Sequence, residues 1–258
     1  MLLAVPHPTS SVEVRGHRLE HVDIPAQIPD RPEILLLHEG LGSVSLWRDF
    51  PERVAQRTGC RTLAYSRVGF GRSSPRTTPF TRDFMHEEAL EIVPGLREAL
   101  GISRPVLIGH STGASMALIH AASHPVAGVL AMAPFAFVER SNVEAIRDNA
   151  ARDELRDRLR RHHDDVDTIF DGWRDLWTDP GFASWSIEPD LERLHCPVIA
   201  IVGDRDEYCT PAQLERIARK ARHAKVEQML LADCGHAPHR DQPEAVLRAA
   251  ERLVTGGP

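Results

Sequence analysis

Little in this sequence calls for covalent or metal staples. Its 258 residues include four cysteines, Cys60, Cys196, Cys209 and Cys234, far apart and without a C-x-x-C pair. A chain of this length buries a core without disulfides, so these are expected to be reduced intracellular thiols. No apolar run approaches the roughly 18 residues of a membrane span. The opening Met1-Leu2-Leu3-Ala4-Val5-Pro6 lacks the basic start and the apolar length of a signal peptide. A cytoplasmic protein without a membrane partner is the expectation. Basic blocks are missing as well: Lys and Arg total 31 against 37 Asp and Glu, a net charge of -6. That balance argues against nucleic acid as a partner. There is no G-x-G-x-x-G or Walker loop, so no nucleotide cofactor is implied. His236-Ala237-Pro238-His239 has no carboxylate at ligand spacing, and no metal is expected.

With 42% hydrophobic and 26% charged residues, the composition is that of a globular chain, with room for one large domain carrying an insertion. Short apolar runs alternate with amphipathic stretches, the pattern of βαβ units and a mainly parallel sheet. Strands are predicted at Ile34–Leu37, Arg61–Tyr65, Val106–Ile108, Gly128–Met132, Pro197–Val202 and Val226–Leu231. Helices are predicted at about 84–100, 114–122, 211–224 and 243–254. The first has Leu90, Val93, Leu96 and Leu100 on one face, and Pro94 should kink or divide it. Between Glu139 and Asp171, 17 of 33 residues are charged, with apolar residues left at helical spacing. That stretch reads as a solvated helical insertion. Within it, His162-His163-Asp164-Asp165 reads as a solvated helix end.

Gly109-His110-Ser111-Thr112-Gly113 is a G-x-S-x-G turn with a strand before it and a helix after it. The serine at such a turn adopts a strained conformation, and side chains two residues to either side would collide with their neighbours. The backbone N–H of Thr112, at the start of the helix, favours a developing negative charge. A serine hydroxyl needs a base, and the base needs an orienting carboxylate. Both follow in chain order. Asp206 lies in the turn Gly203-Asp204-Arg205-Asp206 after the strand that ends at Val202, in competition with Asp204, Glu207 and Asp233, and His236 follows the last strand, 125 positions after Ser111.

In these residues, and in His38-Glu39-Gly40-Leu41-Gly42-Ser43 and Arg67-Val68-Gly69-Phe70-Gly71-Arg72-Ser73, the sequence resembles the α/β-hydrolase superfamily over nearly its whole length. The resemblance implies a mostly parallel eight-stranded sheet with helices on both faces. It also implies a helical cap over 139–189 inserted in a core made of 1–138 and 190–258. By the same resemblance Ser111 is the nucleophile, His236 the general base and Asp206 its orienting group. The oxyanion hole is formed by Thr112 with Gly40 or, in the other register, Leu41. The usual His-Gly-x-x-Gly-Ser has Glu39 in place of its first glycine. Glu39 either makes a buried structural contact or selects a substrate group. Leu41 and His110 are further pocket candidates. Phe135, Phe137, Trp173, Trp177 and Trp185 either line the pocket or form the cap's own packing core.

The implied activity is cofactor-independent hydrolysis of a small-molecule carboxylic ester, lactone or thioester, by a monomer or homodimer. A C–C bond hydrolase with the same three residues and a binding protein with little turnover are the alternatives.

Overall fold

The computed structural model describes residues 8–151 and 153–256; the N-terminal hexapeptide that lacks the marks of a signal lies outside them. Eight strands form one sheet: β1 (Ser10–Val14), β2 (His17–Ile24), β3 (Ile34–Leu37), β4 (Thr62–Tyr65), β5 (Val106–His110), β6 (Gly128–Met132), β7 (Val198–Gly203) and β8 (Val226–Leu231). Their spatial order is β1-β2-β4-β3-β5-β6-β7-β8. β1 and β2 pair antiparallel, as do β2 and β4, and the remaining pairs are parallel. The helices are α1 (Phe50–Thr58), α2 (Phe84–Glu87), α3 (Val93–Leu100), α4 (Thr112–Ser123), α5 (Arg140–Ala150), α6 (Asp153–Leu159), α7 (Val166–Thr178), α8 (Glu188–Leu191), α9 (Ala212–Lys220), α10 (Pro238–Asp241) and α11 (Pro243–Thr255). Among the described residues, no helix is long and apolar enough to cross a membrane.

Side chains alternate across a strand, so a strand covered on both faces is apolar at every position. β3 shows this: Leu35 and Leu37 pack with Leu63, Leu107, Val129 and the α4 residues, while Ile34 and Leu36 pack with Val54 of α1 and Val246 of α11. β1 and β2 carry no such run. The buried positions of β2 include Glu20 and His21, and Glu20 is satisfied by the Ser66 hydroxyl (2.7 Å) and the Arg72 N–H (3.0 Å). A polar buried pair breaks the apolar signature on which strand recognition depends.

Pro94 does not divide the predicted helix at 84–100, which is helical throughout. α2 widens into a π-helical turn, Glu88–Ile92, that runs directly into α3, with Pro94 its second residue. The wider turn shifts the phase of the buried face, which becomes Met85, Ala89, Val93 and Leu96; Leu90 is exposed, against the sequence expectation.

Three buried histidines are neutral by construction. His38 donates from Nδ1 to the Glu39 carbonyl (2.8 Å) and accepts the Arg67 N–H at Nε2 (3.2 Å). His120 donates to the Ala89 carbonyl and accepts from Arg97, and His163 donates to the Leu41 carbonyl and accepts from Gly71 N–H. Burial pushes His38 well below the ordinary value of 6.5, His120 down to about 3 and His163 down to about 4. Below pH 6.5 the unfolded chain therefore binds protons at these sites that the folded chain refuses, so stability falls as pH falls. Each histidine contributes a loss of up to ~1.4 kcal/mol per pH unit, and the contribution of His163 ends near pH 4. Urea unfolding at about pH 7.5 and about pH 5 should show a clearly lower midpoint at the acidic pH; equal midpoints would contradict this account.

Candidate active site

Parallel strands bring their C-terminal ends to one edge, and there the loops after β3, β5, β7 and β8 converge. Ser111 sits between β5 and α4 with φ 55° and ψ -123°, a left-handed conformation that costs a non-glycine residue roughly 1–3 kcal/mol. Its N–H donates to the Met132 carbonyl (2.8 Å). The flanking glycines are required by backbone contact. A Cβ on Gly109 would overlap the backbone of Ala114, and one on Gly113 would overlap the carbonyl oxygens of Leu37 and His38.

The same constraint joins the other two loops. A Cβ on Gly203 would overlap the Cys234 carbonyl, so this glycine lets the loop carrying Asp206 lie against the loop carrying His236. Asp204 accepts the Cys234 N–H (3.2 Å), and the Arg205 N–H donates to the Cys234 carbonyl (2.9 Å). Asp206 then meets His236 Nδ1 with both oxygens, at 2.9 and 3.0 Å. A carboxylate partner makes Nδ1 the donor, which leaves Nε2 as acceptor for the Ser111 hydroxyl at 3.0 Å. Burial opposes the charge on Asp206. The His236 ring and the N–H groups of Cys209 and Tyr208 outweigh it and hold the carboxyl below the usual carboxylate range. The competing carboxylates are placed elsewhere: Asp204 in the turn, Asp233 in an exposed pair with Arg205, and Glu207 on the cavity wall.

Arg67, buried beneath the β3 loop, organises the region facing Ser111. Its guanidinium donates to the carbonyls of His38 (2.6 Å), Glu39 (2.8 Å) and Gly40 (3.3 Å) and lies 4.6 Å from the centre of the Phe70 ring. In a trans peptide the N–H points opposite to the C=O, so the N–H groups of Gly40 and Leu41 are turned away from Arg67. The Thr112 N–H, in the first turn of α4, has no acceptor within the helix. Gly40 and Thr112 are neighbours, and the Trp173 indole lies against Gly40 so closely that a Cβ there would be 2.9 Å from Nε1. Arg67 opens the glycine-rich motif after β4, but nothing in that motif signals its role, because its partners lie 27 to 29 residues earlier in the chain.

Glu39 points to His110. His110 Nε2 donates to the His236 carbonyl (2.6 Å), and its Nδ1 faces Glu39 Oε2 at 3.6 Å, beyond hydrogen-bond length. Burial raises the Glu39 carboxyl, but the His110 and His38 rings and its own backbone N–H together outweigh it and keep it well below the usual carboxylate range. His110 thus ties to the backbone of the loop that holds His236 through Nε2, while Glu39 lies beside its other nitrogen without a hydrogen bond to it.

These groups open into a cavity of about 440 Å³, within the range of small-molecule sites. Glu39, Gly40, Leu41, His110, Thr112, Phe135, Trp173 and Trp177 all line it. Phe137 does not. After Phe135 the chain is held by Gln213, which accepts the Ala136 N–H, and Phe137 turns outward beneath Arg216 of α9, 4.3 Å from the ring centre. Trp185 stacks on Phe182 instead of lining the cavity. Sequence reasoning misses Tyr208, whose ring lies 4.6 Å from that of His236, and the α5 and α6 residues Ile146, Leu155 and Leu159 on the wall. His163, expected to be solvated, is instead a buried pin between α6 and α7. Its bonds to Leu41 and Gly71 tie the segment to the loops after β3 and β4.

Asp206, Cys209 and His236 place potential metal donors within 4.8 Å of one another. The donors are already committed. Asp206 and His236 bond each other, and the Cys209 thiol donates to the Ala133 carbonyl (3.3 Å) while burial pushes its pKa well up. A protonated thiol is a poor metal ligand, so this set does not fit a cation.

The profile of the Alpha/beta hydrolase family matches residues 34–249, and the chain belongs to that family. Over 114 residues, 44% of the chain, it is 28% identical to a proline iminopeptidase from Lactobacillus delbrueckii subsp. lactis, of whose length it spans 39%. Among solved structures it is similar to the enol-lactonase from Burkholderia xenovorans LB400, with TM-score 0.74 and 19% identity over 95% of this chain and 100% of that one. It is also similar to carboxylesterase CesB from Bacillus subtilis, with TM-score 0.72 and 18% identity over 99% of this chain and 94% of that one.

Because Asp206 is, among the described residues, the one acid bonded to His236, the reactivity of Ser111 should depend on Asp206 alone among the nearby acids. Labelling by a fluorophosphonate probe should slow by ~10³-fold or more in Asp206→Asn. Asp204→Asn and Glu207→Gln should stay within about tenfold of the unmodified protein. Slower labelling in Glu207→Gln than in Asp206→Asn would overturn the assignment.

Proposed function

We propose that the protein is a cofactor-independent serine hydrolase that cleaves a carboxylic ester, or a lactone or thioester, through an acyl-enzyme on Ser111. The observation that carries this reading is the unbroken chain Ser111 Oγ to His236 Nε2 (3.0 Å) and His236 Nδ1 to Asp206 (2.9 Å) at the floor of the cavity. The named activities of its relatives, lactonase and carboxylesterase among them, support the same chemistry.

Ser111 Oγ attacks the substrate carbonyl while His236 Nε2 takes its proton, and the Asp206 carboxylate stabilises the imidazolium that forms. The N–H groups of Thr112 and Gly40 receive the oxyanion. They are fixed in advance by α4 and by Arg67, so little reorganisation is needed as charge develops. His236 returns the proton to the leaving group. Water activated by the same nitrogen then releases the acid. In this reading residues 139–189 act as a cap, with Trp173, Trp177 and Leu159 covering the reacting carbonyl and limiting water.

Replacing Ser111 by Ala removes the nucleophile and leaves the buried surroundings of the turn unchanged, so the fold should persist. Turnover of p-nitrophenyl acetate should drop by at least ~10⁴-fold with an unchanged circular dichroism spectrum. Near-normal turnover by Ser111→Ala would refute the proposal.

A further inference from the structure

The net charge of the protein is -6, yet one side of the cavity mouth has the opposite sign. Arg48, Arg158, Arg161 and Arg240 line it, from three separate parts of the chain, together with His162. The acids on the cavity wall are Glu39, 3.6 Å from His110 Nδ1, and Glu207. Among the described residues, none of these four arginines has an ion-pair partner. The contrast within one stretch of chain is informative. Arg156 and Arg160 pair with Asp167, and Arg156 also pairs with Asp171, while Arg158 and Arg161 on the cavity side are left uncompensated.

The cluster is held together. His162 Nδ1 bonds the Ser45 hydroxyl (2.8 Å), and the Arg240 guanidinium donates to the Leu46 carbonyl (2.9 Å), so α10 and the end of α6 both dock on the segment before Arg48. Arg48 is itself in a left-handed conformation, with φ 56°. The His162 ring reports the local potential: burial lowers its pKa, and Arg161, Arg48, Arg240 and Arg72 lower it further. Of these, Arg72 is already paired with Asp164. These four arginines are exposed, and with no internal counter-ions they give the opening a positive potential that favours an anion, whose carboxylate or phosphate oxygens guanidinium forks match in pairs.

We infer that the substrate is an anionic acyl compound: an ester or thioester whose part remote from the scissile carbonyl carries a carboxylate or phosphate group, received by Arg48, Arg158, Arg161 and Arg240. This rests on the serine-hydrolase reading and adds the substrate class. The remote charge anchors the substrate at the mouth, and the apolar wall of Leu155, Leu159 and Trp173 spans the distance to Ser111.

Two matched pairs of substrates separate the sources of the charge. Methyl hydrogen adipate against dimethyl adipate tests a carboxylate, and butyryl-coenzyme A against the N-acetylcysteamine thioester of butyrate tests phosphates. In at least one pair the anionic member should have a kcat/KM about tenfold or more above its neutral partner. That ratio should collapse towards one at ~1 M salt, where charges are screened beyond about 3 Å. It should also collapse in the doubly substituted Arg158→Glu, Arg161→Glu protein. Using the ratio cancels any general loss of activity. Turnover of the neutral compounds with a ratio near one in both pairs would overturn the inference and leave the hydrolase reading intact. A high ratio unaffected by salt and by the double substitution would also overturn it. Failure to turn over any of the four compounds, with no fluorophosphonate labelling of Ser111, would overturn the hydrolase reading itself.

Discussion

The close approach of backbone to backbone at the C-terminal edge of the sheet is the constraint on which the site depends. α4 presses its first turn against the end of β3 at Gly113 and folds back on β5 at Gly109, and the loops after β7 and β8 touch at Gly203. No side chain fits at these three points. Their closeness forces Ser111 into a conformation that serine does not choose, and it brings Asp206 and His236 within hydrogen-bond distance across two loops. The strain at Ser111 is sustained by the surrounding buried core: every residue of β5 is buried, as is α4 from Thr112 to His120.

Electrostatics completes what packing begins. Arg67 is a buried cation whose neutralising partners are mainly carbonyl dipoles, those of His38, Glu39 and Gly40, and collecting them on one side turns the opposite N–H groups outward. Buried histidines supply donors and acceptors in pairs, so His38 and His163 stitch the β3 loop to its neighbours without carrying charge. Glu39 differs in being a partly exposed anion on the cavity wall, and the same loop sets it beside His110. The other nitrogen of that ring bonds the His236 carbonyl, so His110 lies between two loops that bear proposed catalytic groups.

Much of this is legible in the chain itself, for identifiable reasons. β3, β5 and β7 announce themselves because both of their faces are buried, which makes each a short, continuous apolar run. Gly109, Ser111 and Gly113 are legible because the turn tolerates so few residues. β2 is hidden because Glu20 and His21 occupy buried positions, and β1 because Val14 is the one buried residue among its five. Leu90 falls on the wrong face because a π-helical turn changes the period on which face assignments rest. His163 reads as solvated because its neighbours His162, Asp164 and Asp165 are polar, whereas its own partners, Gly71 and Leu41, lie 92 and 122 residues away. The arginines of the cavity mouth are invisible for the same reason: Arg48, Arg158, Arg161 and Arg240 become one group only when the chain is folded. Specificity is written in such long-range assemblies, and a linear motif records only the chemistry common to the fold.

The central claim is that the reaction passes through a covalent bond to Ser111, and the most direct measurement is to catch that species. Mixing the protein with an excess of p-nitrophenyl ester, quenching in acid within the first turnover and digesting for mass spectrometry should yield the acyl mass on the peptide that contains Ser111, together with a burst of nitrophenol matching the enzyme concentration. Steady turnover with no burst and no adduct on that peptide, or an adduct on another residue, would contradict the account.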